Sequence, residues 1–443
     1  MFSSEIVTLA LVSSNVLLAS NALVIHRDSD TYPSSFKGFP FQAKLTPQSN
    51  EETDNNSFIT VTNDHNMEYL GKVDVGGHDF TLQIDTGSSD LWVTGVPGLK
   101  ITKTANKQLN LTYGIGSAAG EILYADVSFG GYNIQNQAFL NATSVVQQDG
   151  QGILGLGFIA LSPIAGTIKD KSGLPVMANI FNQNPHIPMF LGLALERSKN
   201  GEDTSGGVLS IGQYDPDYSN VARRPKYPIE PSSSSRWTIA ISDMRVNGKS
   251  FSLQSSVKGA KKGTVISLID SGTSLAYIPS QAVDAIYGSI EGAVHVKTKV
   301  QDAWFVPCLG QANLSFTFGQ DTYPINPMEL TTPSTISDRG TQYTVCMNAF
   351  RAPLNGKFGD VDFLLGDIFM RNVYSVFNFG NSSAKGEDSK GASIQFLSRT
   401  DRDQAYRLFE ERRKESLKSR PPLFDLSKLH TDGTTDGGQR LNP

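Results

Sequence analysis

The sequence is poor in cysteine, in histidine and in long apolar runs, and each shortage narrows what it can be. Two cysteines in 443 residues are too few for a disulfide-stapled scaffold or a cysteine-based zinc finger, although they could form one bridge. Six scattered histidines, none in a His-Glu-x-x-His spacing, give little support for a catalytic metal, and we expect neither metal nor cofactor. No interior run reaches the roughly 18 apolar residues that a membrane span needs. Positive charge is not in excess either: 38 Lys and Arg face 43 Asp and Glu, and a net charge of −5 makes no electrostatic case for nucleic acid. What is present, 41 Gly, 21 Pro and 39% hydrophobic residues, is the composition of a loop-rich globular protein. At about 150 residues per domain, the length allows two or three units.

Residues Ile6 to Leu18 form an apolar stretch followed by the small residues Ala19, Ser20 and Ala22, which reads as a signal peptide over 1–20. Its n-region carries Glu5 and no Lys or Arg, so an ordinary apolar N-terminal element is the other reading. Asn-x-Ser/Thr sequons at Asn55, Asn110, Asn141, Asn313 and Asn381 are glycosylation candidates in a secreted protein, which favours secretion, with a vacuole or other acidic compartment as the alternative. An oxidising compartment would permit Cys308 and Cys346 to pair; two free buried thiols are the alternative.

From Asp28 to Asp64 the chain is polar and without a sustained period, and we read it as a leader or loosely packed extension, with order beginning near Met67. Segments Tyr69–Val75, Phe80–Ile84 and Glu121–Phe129 have strand length and strand patterning, separated by glycine-rich turns such as Gly76-Gly77 and Gly130-Gly131. The fold class is therefore mainly β. A short helix is expected over Gln281 to Ser289 with Ser280 as N-cap. Pro231 and Ser232 to Ser235 are a natural place to divide two lobes. After Ser398 charged residues become dense, with 18 of the last 45; Asp401 to Lys418 reads as a charged helix with Tyr406, Leu408, Phe409 and Leu417 as its sparse apolar positions, stopped by Pro421-Pro422. A processed extension or a disordered appendage are the readings of this tail.

The informative feature is a near-repeat 185 positions apart. Leu82-Gln83-Ile84-Asp85-Thr86-Gly87-Ser88-Ser89 is echoed by Ser267-Leu268-Ile269-Asp270-Ser271-Gly272-Thr273-Ser274. In each copy an apolar strand runs into Asp, a hydroxyl residue, Gly, a hydroxyl residue and Ser. Glycine permits a tight turn with close backbone approach, and hydroxyls and amides next to a carboxylate can fix its orientation. One copy alone would be a strand-end turn with a capping Asp; two copies, in opposite halves of the chain, point to two carboxyls brought to one water.

These residues carry a resemblance to the pepsin-like aspartic proteases of the secreted, fungal type, covering about 330 residues from Met67 to Leu397. Glu68 to Gly71 looks like the start of the mature enzyme, and Asp90-Leu91-Trp92-Val93 follows the first acid as the family pattern requires. Tyr113-Gly114-Ile115-Gly116-Ser117 resembles the flap hairpin that closes over substrate. Gly152 to Gly157 and Phe363 to Asp367 resemble the segments that thread beneath each catalytic loop. The resemblance implies a bilobal fold of two pseudo-symmetric β-rich lobes with the active site in the cleft between them: a propeptide over 21–65, an N-terminal lobe over 66–236, a C-terminal lobe over 237–398 and a charged extension over 399–443. It assigns catalysis to Asp85 and Asp270, with Thr86, Gly87, Ser88, Ser271, Gly272, Thr273 and Trp92 in support. Tyr113, Gly114, Ile115 and Gln83 then belong to the flap and substrate-binding surface, and Cys308 and Cys346 to a C-lobe disulfide. It also implies a monomeric aspartic endopeptidase that takes polypeptide substrates at acidic pH without a covalent intermediate and binds pepstatin-type inhibitors. In the propeptide, Lys37 and Lys44 are the residues that could occupy the acid pair.

Departures from the family pattern bear on specificity. A disulfide after the first acid motif is absent, and Val93 to Thr112 is short and carries Lys100, Lys103 and Lys107. Ile115 stands where an acidic residue often accompanies a preference for Lys, so that preference is not expected. Gln83 and Gly150 replace apolar and aromatic residues and suggest a roomier or more polar pocket. Two loose dinucleotide-like strings, Gly155 to Ala160 and Gly114 to Ala119, lack the strand-then-helix context they need. Gly272 to Ala276 faintly resembles a serine-hydrolase elbow, a reading that leaves the Asp85 copy unexplained. A pepsin-fold protein that binds peptides or another protein without cutting them is the rival from another class.

Overall fold

A computed structural model describes residues 57–429 except 149, 199–203, 298–301, 339, 354–359, 381–388 and 390. The expected signal peptide, most of the expected propeptide with Lys37 and Lys44, and the sequons at Asn55 and Asn381 lie outside the described residues. The chain is mainly β. Strands β1 (Phe58–Asp64), β2 (Glu68–Val75), β3 (His78–Asp85), β4 (Leu91–Thr94), β5 (Ile101–Thr112), β6 (Ser117–Phe129), β7 (Tyr132–Val146), β8 (Gly152–Gly155), β9 (Phe190–Leu195) and β10 (Thr204–Ile211) belong to one large sheet. The late strands Val373–Asn378 and Ser393–Ser398 join that sheet beside β9, so both halves of the chain contribute to it. The second half builds three smaller sheets of its own.

The two acid loops are supported in the same way. Strand β8 lies parallel to β3 and antiparallel to β4. In the second half Phe363–Leu365 lies parallel to Val265–Ile269 and antiparallel to Ala276–Tyr277. Each acid thus leaves the end of a strand whose neighbour is threaded through the loop that follows it. Beneath them an aromatic cluster joins the halves: the buried Trp237 ring lies 4.1 Å from Phe158, 5.2 Å from Phe377 and 4.9 Å from Phe379, and its indole donates to Leu156 O at 3.2 Å. Packed aromatics of this kind contribute both area and orientation.

Three expectations change. The stretch before Met67 is not wholly a loose extension, because Phe58–Asp64 is a strand paired with β2 and β10. Ile59, Val61 and Asn63 point inward and Thr60 and Thr62 outward, a period of 2. The short helix runs Ser280–Tyr287 with Pro279, not Ser280, at its N-cap position. As far as Leu429 the tail is not a disordered appendage: the helix Arg402–Leu417 packs on the turn Pro327–Glu329. Beyond it, Phe424 and Leu429 fill a cluster with Phe305, Ile336, Val345 and Met347. Cys308 and Cys346 are bridged, with Cα atoms 5.2 Å apart. Among the described residues no helix is long and apolar enough to cross a membrane.

Candidate active site

Asp85 and Asp270 face each other, both buried, and each is gripped alike. Gly87 N–H donates to Asp85 Oδ1 at 2.7 Å and Ser88 Oγ donates to Oδ2; Gly272 N–H donates to Asp270 Oδ1 at 2.8 Å and Thr273 Oγ1 to Oδ2 at 2.9 Å. The glycines are dictated by the approach of the opposite acid. A Cβ on Gly87 would sit 2.5 Å from Asp270 Oδ1, and one on Gly272 would sit 2.3 Å from Asp85 Oδ1.

The loops are tied to each other by their hydroxyls. Thr86 Oγ1 donates to Ile269 O at 3.0 Å and accepts from Ser271 N–H at 3.0 Å; Ser271 Oγ donates to Ile84 O at 2.6 Å and accepts from Thr86 N–H at 3.1 Å. All four bonds cross between the halves and are buried, where an unmet partner would be costly. Gln83, expected at the substrate pocket, donates from Nε2 to Gly272 O at 3.3 Å. Burial, and then the facing Asp270 carboxyl, holds the Asp85 carboxyl well above the usual range, with Ser88 and Gly87 opposing.

Tyr113 to Gly116 form the turn between β5 and β6, whose last ladder pair is Thr112 and Ser117. Tyr113 N–H donates to Gly116 O at 3.1 Å, Gly116 has φ 75°, and Gln148 donates to Ile115 O. Tyr113 packs in a cluster with the fully buried Trp92, Leu111 and Ile122. Burial raises its phenol pKa, and Asp85 and Asp90 add to the rise. Gly114 and Gly150 have open space where a side chain would be. Of the other described sequons, Asn110 is exposed and Asn141 and Asn313 are half-buried.

Asp90 and Asp367 enter the sequence reading only as members of family segments, and Glu329 does not enter it. Asp90 accepts from Ser162 and from Ile164 N–H at 3.1 Å, and burial pushes its carboxyl up to about 6. Asp367 is fully buried behind Asp270, without a hydrogen-bond partner on either oxygen among the described residues, and burial raises it further. Glu329 is the hub of a buried ion network. Its Oε1 accepts from Arg197 Nε at 2.7 Å, and its Oε2 accepts from Arg371 Nη2 at 2.7 Å and Nε at 2.9 Å. The partners are 132 and 42 residues away, so no local pattern announces them. Among the described residues no group of three or more His, Cys, Asp or Glu is arranged for a metal.

The family model described as eukaryotic aspartyl protease matches residues 68–100 and 99–385. An aspartic protease of Phaffia rhodozyma is 28% identical over 347 residues, covering 73% of this chain and 77% of that protein. Cathepsin E of Mus musculus is 28% identical over 346 residues, covering 71% and 79%. Among solved structures, the aspartic proteinase from Irpex lacteus shares the fold with a TM-score of 0.61 at 21% identity, covering 79% of this chain and 98% of its own. With the family model spanning both acid loops, the chain belongs to the eukaryotic aspartyl protease family, the aspartic-type endopeptidases.

Proposed function

We propose that the protein hydrolyses peptide bonds of extended polypeptides at acidic pH, with Asp85 and Asp270 sharing one proton. The observation that carries the reading is the matched grip on the two facing carboxyls, together with the raised pKa of Asp85. Two adjacent carboxyls cannot both ionise cheaply, a behaviour long established for this family. The ionised partner takes a proton from a bound water as its oxygen attacks the peptide carbonyl, and the protonated partner donates to the developing oxyanion. The tetrahedral diol then returns a proton to the amide nitrogen, the C–N bond breaks, and the dyad regains its starting state. No covalent intermediate forms. Tyr113 and its turn close over the substrate and exclude water.

Because both acids come from one chain, a monomer suffices. The open space at Gly150 and the amide at Gln83 support a roomy, polar specificity pocket, and Ile115 supports no preference for Lys. We place the enzyme in the secretory pathway or an acidic compartment, as a glycoprotein with a signal peptide over 1–20 and a propeptide over 21–65.

The test is cleavage of an unfolded protein at about pH 4, where one carboxyl of such a pair is protonated. Expected are inhibition by pepstatin, loss of cleavage in Asp85→Asn and in Asp270→Asn with melting temperature preserved, and a decline in rate as the pH rises. Cleavage that persists in either variant, or a wild-type protein that binds peptides without cutting them, refutes the reading.

A further inference from the structure

The C-terminal helix forms one wall of a cavity of about 70 Å³ whose opposite wall is the body of the protein. Arg413 and Arg420 line it from the tail, and Arg197 and Arg371 from the body, with Ser416 and His65 beside them. A single water needs about 10–15 Å³ of such space, so there is room for several waters or one small anion.

Among the described residues, the arginines that line this cavity outnumber the carboxylates bonded to them. Arg197 and Arg371 share the one carboxylate of Glu329. Asp64 is bonded to His65 at the surface, and burial raises the Asp367 carboxyl, behind Arg371, well above its usual range. Arg413 is fully buried and has no carboxylate partner among the described residues. Its Nη2 donates to Met328 O at 3.2 Å, Thr331 O at 3.1 Å and Thr331 Oγ1 at 3.0 Å. Its guanidinium carbon lies 5.6 Å from the Phe409 ring centre, and its Nε has no hydrogen-bond partner among the described residues. Arg420 is half-buried, also without a carboxylate among the described residues. Burial, then Arg197, pushes Arg413 down to about 9, and burial lowers Arg420 as well. A guanidinium taken out of water without a counter-charge is an expensive arrangement.

We propose that this cavity binds a small tetrahedral oxyanion of the phosphate or sulfate class, held by Arg413 and Arg420 from the tail and Arg197 from the body. Planar guanidinium forks match the paired oxygens of such an ion, and three of them approaching from two walls suit a ligand with acceptors on every side. The bound anion ties the C-terminal helix to the body.

The experiment titrates the full-length protein with sodium phosphate and, separately, sodium sulfate, the ionic strength being held constant with sodium chloride. It reads melting temperature, binding heat and the rate of tryptic cleavage between Arg402 and Arg420. We expect a saturable rise in melting temperature at one site per chain and slower cleavage of the helix, the two titrations identifying the preferred ion. Arg420→Gln should weaken binding at least about tenfold while leaving acid cleavage of peptides unchanged. Arg413→Met should do the same, and the half-buried Arg420 carries the test if Arg413→Met does not fold. A response that grows with salt without saturating, or one that is equal in Arg420→Gln, overturns the proposal. Loss of proteolysis in the aspartate variants bears on the dyad alone and leaves this outcome readable.

Discussion

Replacing Glu329 by Gln keeps the shape of a buried side chain and removes its charge. In the folded protein the Glu329 carboxyl is held down to about 2: burial would raise it, and Arg197 and Arg371 overrule burial. Set against an ordinary value of 4.5, the shift corresponds to roughly 3 kcal/mol, at about 1.4 kcal/mol per unit. Because the folded value lies below the unfolded one, the unfolded chain binds the extra proton between them. This contribution is therefore complete above about pH 4.5 and is lost as the pH falls toward about 2. The Gln variant cannot titrate, and it leaves two guanidiniums, one of them almost wholly buried, without their counter-ion. Breaking a buried pair from one side costs about 3–5 kcal/mol. Urea unfolding followed by tryptophan fluorescence at about pH 6 should show the variant less stable by that amount at unchanged m-value. The gap should narrow steadily on acidification below about pH 4.5. A gap under about 1 kcal/mol, or one that stays constant with pH, would show that the network does not work as the geometry implies.

Gly87→Ala and Gly272→Ala put a methyl group 2.5 Å and 2.3 Å from the opposing carboxylate oxygens, so each should fold yet lose at least about 100-fold in kcat/KM; near-normal turnover would contradict the close approach. Thr86→Val removes a buried hydroxyl that both donates to Ile269 and accepts from Ser271, and should cost about 1–3 kcal/mol in urea unfolding together with a loss of activity. Replacing Cys308 and Cys346 together by Ser opens a loop with a sequence separation of 38, for which the chain-entropy relation gives about 4 kcal/mol. An unchanged melting temperature would mean that the bridge constrains nothing.

Both acid loops are legible in the sequence because their grip is local: the residues that hold each carboxylate are its next two or three neighbours. The bonds between the loops are legible for a related reason, since Thr86 and Ser271 occupy matching positions of the repeat. Strand β1 is harder to read. Its alternation is short, and one inward residue is Asn63, which is fully buried because Glu196 O, far along the chain, accepts from its amide at 2.7 Å. The Glu329 network is invisible for the same reason, as its charges meet only once the sheets have formed. In the tail the helix could be anticipated from composition, but its docking could not. Tyr406 donates to Ala312 O and Phe409 is buried, while Leu408 and Leu417 are only half-buried. Arg413, a residue that composition assigns to the surface, is wholly inside.

The docked tail changes what a minimal version of this protein would be. The family match ends at 385, and a fragment cut after Ser398 would retain every strand of the large sheet. It would also uncover the Phe305 and Ile336 cluster that Phe424 and Leu429 cover. The amide and carbonyl of Thr344, which now meet Pro422 and Phe424, would lose their partners. A short edge with open backbone groups beside apolar side chains is a surface that seeks another chain. Trimming to the catalytic body would therefore expose a surface prone to self-association, and a truncation before Leu429 would remove side chains that cover it.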